Sequence, residues 1–288
     1  MIPSPSSGQR PARLIVCADD YGISSAVSAG IRQLIALGRL SATGVMATMP
    51  AWRREAPALK ELAGQVAVGL HVTFTDQPAL GPIRGLAPNG TLPGLARLFR
   101  CCFSGRLDHQ AVVAELERQL DAFEAAFGRS PDFIDGHQHV HLLPGIRQAV
   151  LALFDRRLDR QRCWLRDCWD RPAAVMARGQ AAKAGFIALL GLPLHIAARR
   201  RSLRCNRGFS GFYDGTRTPF AEELDSLLRR AGDGHLLMVH PGHVDAELAA
   251  CDSLTTPREG EWRTLSAPDF PERLARLGFT VAGPAFPG

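Results

Sequence analysis

"DFIDGHQHVHLLPG", residues 132–145, runs a short apolar segment straight into His137, His139 and His141. The chain has only nine histidines in 288 residues, so three within five positions is a concentration that composition does not produce. A buried strand that ends in polar, chemistry-bearing residues is the repeating unit of a parallel α/β sheet, whose functional loops gather at the carboxyl ends of the strands. The same unit recurs outward in both directions. "RLIVCA" (13–18), "ATGVMATM" (42–49), "VAVGLHVTF" (66–74), "CWLR" (163–166), "HLLMVH" (235–240) and "FTVAG" (279–283) read as further strands. Helical segments are expected over 25–38, 52–62, 108–127, 145–155, 219–231 and 269–277. In the first of these, Val27, Ile31, Leu34 and Ile35 share one face. Strands that alternate with helices pair in parallel through crossovers, which predicts an α/β fold built as a single (β/α) barrel, distorted or incomplete.

Composition agrees with a globular chain: 46% of residues are hydrophobic and 22% charged. The seven cysteines are odd in number and form no C-x-x-C pair, which predicts reduced thiols and a cytoplasmic protein. The segment 1–12 is Pro/Ser-rich and lacks an apolar signal core, so it reads as a flexible leader to one domain over 13–288. A net charge of +6 raises the question of nucleic acid. The arginines, however, cluster in two places without a groove-entering or RNA-binding signature, and no nucleic-acid partner is expected. The Pro/Gly-rich stretch 75–94 is long for a structureless connection and reads as a lid or binding edge.

Asp19 and Asp20 follow the first strand, His71 ends the third, His137 follows "DFID" and His240 closes "HLLMVH". All fall on the face where the loops of a parallel barrel converge. Carboxylates at the end of a buried strand are costly unless paired or bound to a cation, and one carboxylate with two imidazoles is a recognised metal-ligand set.

"LIVCADDYG", "VGLH", "DFIDGHQHVHLLP", "GFSGFYDG" and "MVHPGH", in this order, resemble the YdjC-like carbohydrate deacetylases, a group with chitooligosaccharide deacetylases and hopanoid-biosynthesis-associated members. The resemblance spans about residues 13–243. It implies a distorted barrel that binds one divalent ion, Mg²⁺ or Zn²⁺, and removes an N-acetyl group from an amino sugar. It also implies Asp20, His71 and His137 as metal ligands. Two departures are visible: Cys17 stands where asparagine is frequent, and Gly136 where serine often precedes the first histidine.

Amide hydrolysis needs an activated water, a polarised carbonyl and a protonated leaving amine. Asp19 is the expected base and His240 the expected acid, since an unperturbed imidazole titrates near ~6.5. If 137–141 is extended, its three histidines share a face. One ion cannot take all of them, so His139 and His141 are assigned to substrate contacts or to orienting the ligands, with loop packing before Leu142 and Leu143 the equal alternative for His141. Arg166 is expected to grip sugar hydroxyls or a phosphate, or to form a surface ion pair with Asp167 or Asp170, and Phe209, Phe212 or Tyr213 to wall the sugar ring, with core packing the default for any one of them.

The segment 181–207 pairs a short apolar run with five arginines, within a basic insertion at about 175–207. It reads as either a packed core helix or an interfacial anchor at the inner membrane surface, the latter implying a lipid-linked glycan as substrate. The sequence is also compatible with a homo-oligomer. Two other functions remain open: a metal-dependent phosphoesterase on a similar barrel, and a non-catalytic carbohydrate-binding protein.

Overall fold

The computed structural model describes residues 10–285, so most of the expected leader lies outside the described residues. In chain order the elements are β1 (Ala12–Tyr21), α1 (Ser25–Ala36), β2 (Ala42–Val45), α2 (Pro50–Lys60), β3 (Ala67–Val72), α3 (Leu95–Phe103), α4 (His109–Phe127) and β4 (Phe133–Gly136). A 3₁₀ turn (His137–Leu142) follows, then α5 (Ile146–Arg156), β5 (Trp164–Leu165), α6 (Pro172–Val175), α7 (Ala181–Arg200) and β6 (Phe209–Ser210). The chain continues through α8 (Phe220–Leu227), β7 (His235–Val239), α9 (Ala246–Cys251), α10 (Thr256–Ser266), α11 (Phe270–Arg276) and β8 (Phe279–Val281).

Every strand pairing is parallel, in the order β5-β4-β3-β2-β1-β7-β6. The sheet curls into an incomplete barrel. Among the described residues, the open edge at β5 meets the segment before β6 through one bridge, between Leu165 and Cys205. β8 does not sit between β7 and β1, where an eighth barrel strand would close the ring. It pairs instead with Ala12–Leu14 at the start of β1. The Leu14 carbonyl accepts from Ala282, and two residues on the Val16 carbonyl accepts from Ser41, so β8 and the β2 end of the sheet share one edge of β1.

The elements follow from local sequence. Ser24 caps α1 by accepting from the Val27 amide, Asp108 caps α4, and Gly128 ends α4 in a left-handed conformation. The apolar face of α1 (Val27, Ile31, Leu34, Ile35) is buried as its spacing predicts. The strand expected over 42–49 stops at Val45, because residues 46–49 turn into α2. β6 was not expected: two residues of a Gly- and Phe-containing run give no period, and only pairing with β7 makes them a strand. The helices α3, α6, α9 and α10 were likewise not expected.

Packing is tight where the sheet bends. Phe133 stacks on Trp164 at 4.3 Å across the β4–β5 pair. A Cβ on Gly69 of β3 would lie 2.5 Å from the Phe133 ring. Gly69→Ala is therefore expected to overpack the sheet and cost about 1–3 kcal/mol, read as a lower urea midpoint with an unchanged slope.

Candidate metal and catalytic centre

Consecutive residues of a regular strand face opposite sides. At the end of β1 that alternation breaks. The β1–β2 register shifts between Ala18 and Tyr21, and Asp20 takes a left-handed φ of 68°. This bulge turns Asp19 and Asp20 into one buried cluster at the carboxyl end of the sheet.

Asp20, His71 and His137 each offer a ligand atom there, and the three atoms lie within 4.8 Å of one another. Asp20 Oδ1 is 3.0 Å from His137 Nδ1 and 3.4 Å from His71 Nε2. The other nitrogen of His71 bonds Asp135 Oδ1 at 2.7 Å, which fixes the ring with Nε2 turned inward. The second Asp20 oxygen accepts from Arg258 at 2.7 Å. Burial opposes a charge on His71, yet Asp135 and Asp19 push its pKa up to about 10. Burial also opposes the Asp20 anion, but Arg258 and His137 hold it well below the usual carboxylate range. The carboxylates around His71 thus favour positive charge at this point, and a carboxylate with two imidazoles is a donor set that suits a divalent cation.

Asp19 lies beside this triad in a two-point pair with Arg166, at 2.7 and 2.5 Å. Burial would raise its pKa, but Arg166 brings it down to about 2. Arg166 is fully buried and also pairs with Asp135 at 2.6 Å, and its guanidinium donates to Cys17 Sγ at 3.0 Å. The expected sugar contact or surface pair of Arg166 is therefore corrected: the side chain holds two site carboxylates and reaches no solvent. His240 Nε2 stands 3.9 Å from Asp19 Oδ2, and its side chain is 22% exposed, leaving an open edge. Burial lowers its pKa from the ordinary imidazole value, partly offset by Asp20 and Asp19.

The three histidines do not share an extended face. Residues 137–142 form a 3₁₀ turn in which Gln138 and His139 have positive φ, so only His137 meets Asp20 and His71. His141 is fully buried, and His139 is wedged edge-on against Phe209 at 5.6 Å and Phe212 at 5.4 Å. Both rings approach Cys168, and burial keeps both neutral. A Cβ at Gly136 would lie 2.9 Å from His141 Nδ1, so this glycine makes room for the ring. His141 and Phe209 are packing residues rather than substrate contacts, and His139 lies beneath the aromatic wall. Tyr213 is only partly buried and donates its hydroxyl to Glu261 at 2.7 Å. The stretch 75–94 reaches the same end of the sheet, with Gln138 donating to Asp76 and Gln77 to the Cys251 carbonyl.

Three residues of the cluster escaped the sequence reading. Asp135 was hidden inside a strand segment, where its charge was a signal left unused. Arg258 and Glu261 come from α10, more than 230 residues along the chain from Asp20, in a helix with no distinctive motif. Glu261 is buried and accepts from the His240 amide as well as from Tyr213.

The chain as a whole has counterparts among known proteins. A model of the family described as YdjC-like protein matches residues 13–276. The chain belongs to this family. The human carbohydrate deacetylase is 27% identical over 297 residues, covering 92% of this chain and 88% of that protein. The chitooligosaccharide deacetylase of Enterobacter sp. (strain 638) is 28% identical over 257 residues, covering 85% and 91%. A crystal structure of a protein from Enterococcus faecalis V583 shares the fold with a TM-score of 0.71 at 21% identity, covering 95% of this chain and 97% of that one.

Burial pushes the pKa of Glu261 up to about 7, against the pull of Tyr213 and the His240 amide. An unfolded glutamate titrates near ~4.3, so the folded state holds this proton more tightly. Its contribution is complete below the unfolded value and is lost as pH rises through about 7. Glu261→Gln should flatten the fall in melting temperature between about pH 4.5 and 7, relative to the parent protein. An identical fall in both would contradict the assignment.

Proposed function

We propose that this protein is a metal-dependent hydrolase that removes an N-acetyl group from an amino sugar, releasing acetate and a free amine. The observation that carries the reading is the convergence of Asp20, His71 and His137 beside the Asp19–His240 pair, in a chain whose relatives are named carbohydrate deacetylases. Asp20, His71 and His137 are the ligands in this reading, with Zn²⁺ favoured by the imidazoles and Mg²⁺ the harder alternative. A divalent cation bound there supplies Lewis acidity toward the acetyl oxygen and toward the attacking water.

The chain's own groups do the rest. Asp19, kept ionised by Arg166, orients the water and accepts its proton. With a pKa of about 2 it cannot retain that proton, and His240 Nε2, 3.9 Å away, is placed to receive it. Because burial depresses its pKa, His240 starts neutral at pH 7 and becomes an acid only during turnover, which modifies the expectation of an imidazolium poised near neutrality. Its open edge faces the leaving amine. Protonating that nitrogen breaks the C–N bond, and the proton taken from water ends on the amine. Tyr213 remains the candidate wall for the sugar, held by Glu261, which also fixes the His240 backbone.

The substrate is proposed to be lipid-borne, in a protein that is cytoplasmic and peripheral to the inner membrane surface. α7 has a mean hydropathy of 1.6 over a window only 28% buried. It docks lengthwise through Ala188, Gly191, Leu194 and Ala198, so it lies along the barrel. Its outer side exposes Phe186 (53%) and Leu189 (69%), and Phe186 meets Phe99 of α3, which stacks on exposed Phe103. Arg97 and Arg100 of α3 are exposed beside this patch, a charge suited to an anionic lipid surface. Lys183 lies 5.4 Å over Phe212, which packs against His139. The basic flank is smaller than the sequence suggested, since Arg201 pairs with Asp155 and Arg204 bonds the carbonyls of Gln161 and Ala285.

Two measurements test this reading. His71→Ala and His137→Ala should each lose most of a bound divalent ion in metal analysis, whereas Asp19→Asn should retain it and lose at least ~10²-fold in acetate release from chitooligosaccharides. Ion retained in both histidine variants would sink the ligand set. For the lipid reading, the protein should sediment with phosphatidylglycerol vesicles, less so as salt rises, and the double variant Phe186→Ser/Leu189→Ser should stay in solution while deacetylating soluble chitooligosaccharides normally. Failure of the parent protein to sediment at low salt would leave a soluble glycan as substrate.

A further inference from the structure

A second concave site lies apart from the candidate centre, toward the amino-terminal ends of β6 and β7. It is a crevice of about 350 Å³ whose lining includes Arg171, Arg199, Arg207, Arg230, Trp169 and His195. Arg171, Arg199, Arg207 and Arg230 are all exposed on this crevice and give it a positive surface. The acids of the same crevice are already committed. Asp170 pairs with Arg178 at 2.7 Å, Asp233 with Arg13 at 2.6 Å, and Asp167 with His195 at 2.5 Å. The rim arginines are served differently. Arg171 and Arg230 reach only backbone carbonyls, at 3.3 and 3.4 Å, and Arg199 has no partner among the described residues. Asp233, held low chiefly by its hydrogen bonds to Arg13, also faces the Arg207 charge.

The crevice therefore combines surplus positive charge with donors in fork geometry. It also has a flat apolar face: the Trp169 indole stacks on the His195 ring at 4.5 Å and 24°. Guanidinium forks match the oxygens of phosphate, whose double charge answers more than one of them. Pockets of some 300 Å³ upward accommodate small organic ligands.

We propose that this crevice is a binding site for a phosphate ester, with Arg171, Arg199 and Arg230 on the phosphate and Trp169 against the organic part. It lies away from Asp20, His71 and His137, so it holds a ligand other than the acetyl group under attack. The same chemistry is available from a soluble phosphorylated sugar or from a phospholipid headgroup, and the two sources are separable by experiment.

Calorimetric titration at low salt with glucose 6-phosphate, and with glucose as control, provides the test. The phosphate ester should bind with a submillimolar Kd and glucose should not. Arg199→Ala/Arg230→Ala, which alters two exposed side chains, should weaken the ester at least tenfold with an unchanged melting temperature. Binding should persist in His137→Ala, which separates the crevice from any anion held at the candidate centre. If the soluble ester is silent but dihexanoyl phosphatidic acid, kept below its micelle concentration, binds the parent protein and not the double arginine variant, the ligand is a headgroup. The proposal is overturned if neither probe binds, or if the double variant binds as the parent does.

Discussion

Arg166 is the constraint on which the centre depends. One guanidinium, with no exposure to solvent, pairs with Asp19 and Asp135 at once. A buried charge is tolerable only when paired and hydrogen-bonded, and removing one partner strands the others. From this pair the network continues outward: Asp135 holds His71, His71 and His137 face Asp20, and Asp20 is pinned from its far side by Arg258. Charges from β1, β3, β4, the segment after β5 and α10 compensate one another in one small volume.

That network explains why the barrel need not close. Its polar end is held by ion pairs, and its apolar interior by strands such as β1, whose Leu14–Ala18 are buried throughout. The seam between β5 and β6 carries one bridge, with Asn206 lacing the Asp167 amide and carbonyl to the next loop. The proposed phosphate crevice borders this seam, where a gap in backbone pairing leaves room for a ligand.

The proposed chemistry divides labour between neighbours that differ mainly in environment. Asp19 and Asp20 are identical side chains, adjacent in sequence. A bulge and two different arginines make one a candidate base and the other a candidate ligand. His137, His139 and His141 are separated in the same way: one faces the carboxylates, and the other two are kept neutral among Cys168 and the phenylalanines.

The sequence by itself determined the alternation of strands and helices, and hence a parallel sheet with its polar residues at one end. Apolar runs and helical faces are local patterns, and they are legible one segment at a time. It also placed Asp19, Asp20, His71, His137 and His240 at strand ends, which the structure brings together. Tertiary structure alone decided that Arg166 is an internal tie, that His141 and Phe209 are packing residues, and that Arg258 and Glu261 belong to the cluster. Those outcomes depend on which distant side chain fills the space beside a buried charge, and pairing across more than 230 residues leaves no local period to read. The bulge at Asp20 and the turn at Gln138–His139 belong to the same class: a positive φ in a non-glycine residue is imposed by the surrounding packing, and the residues that adopt it carry no mark in the sequence.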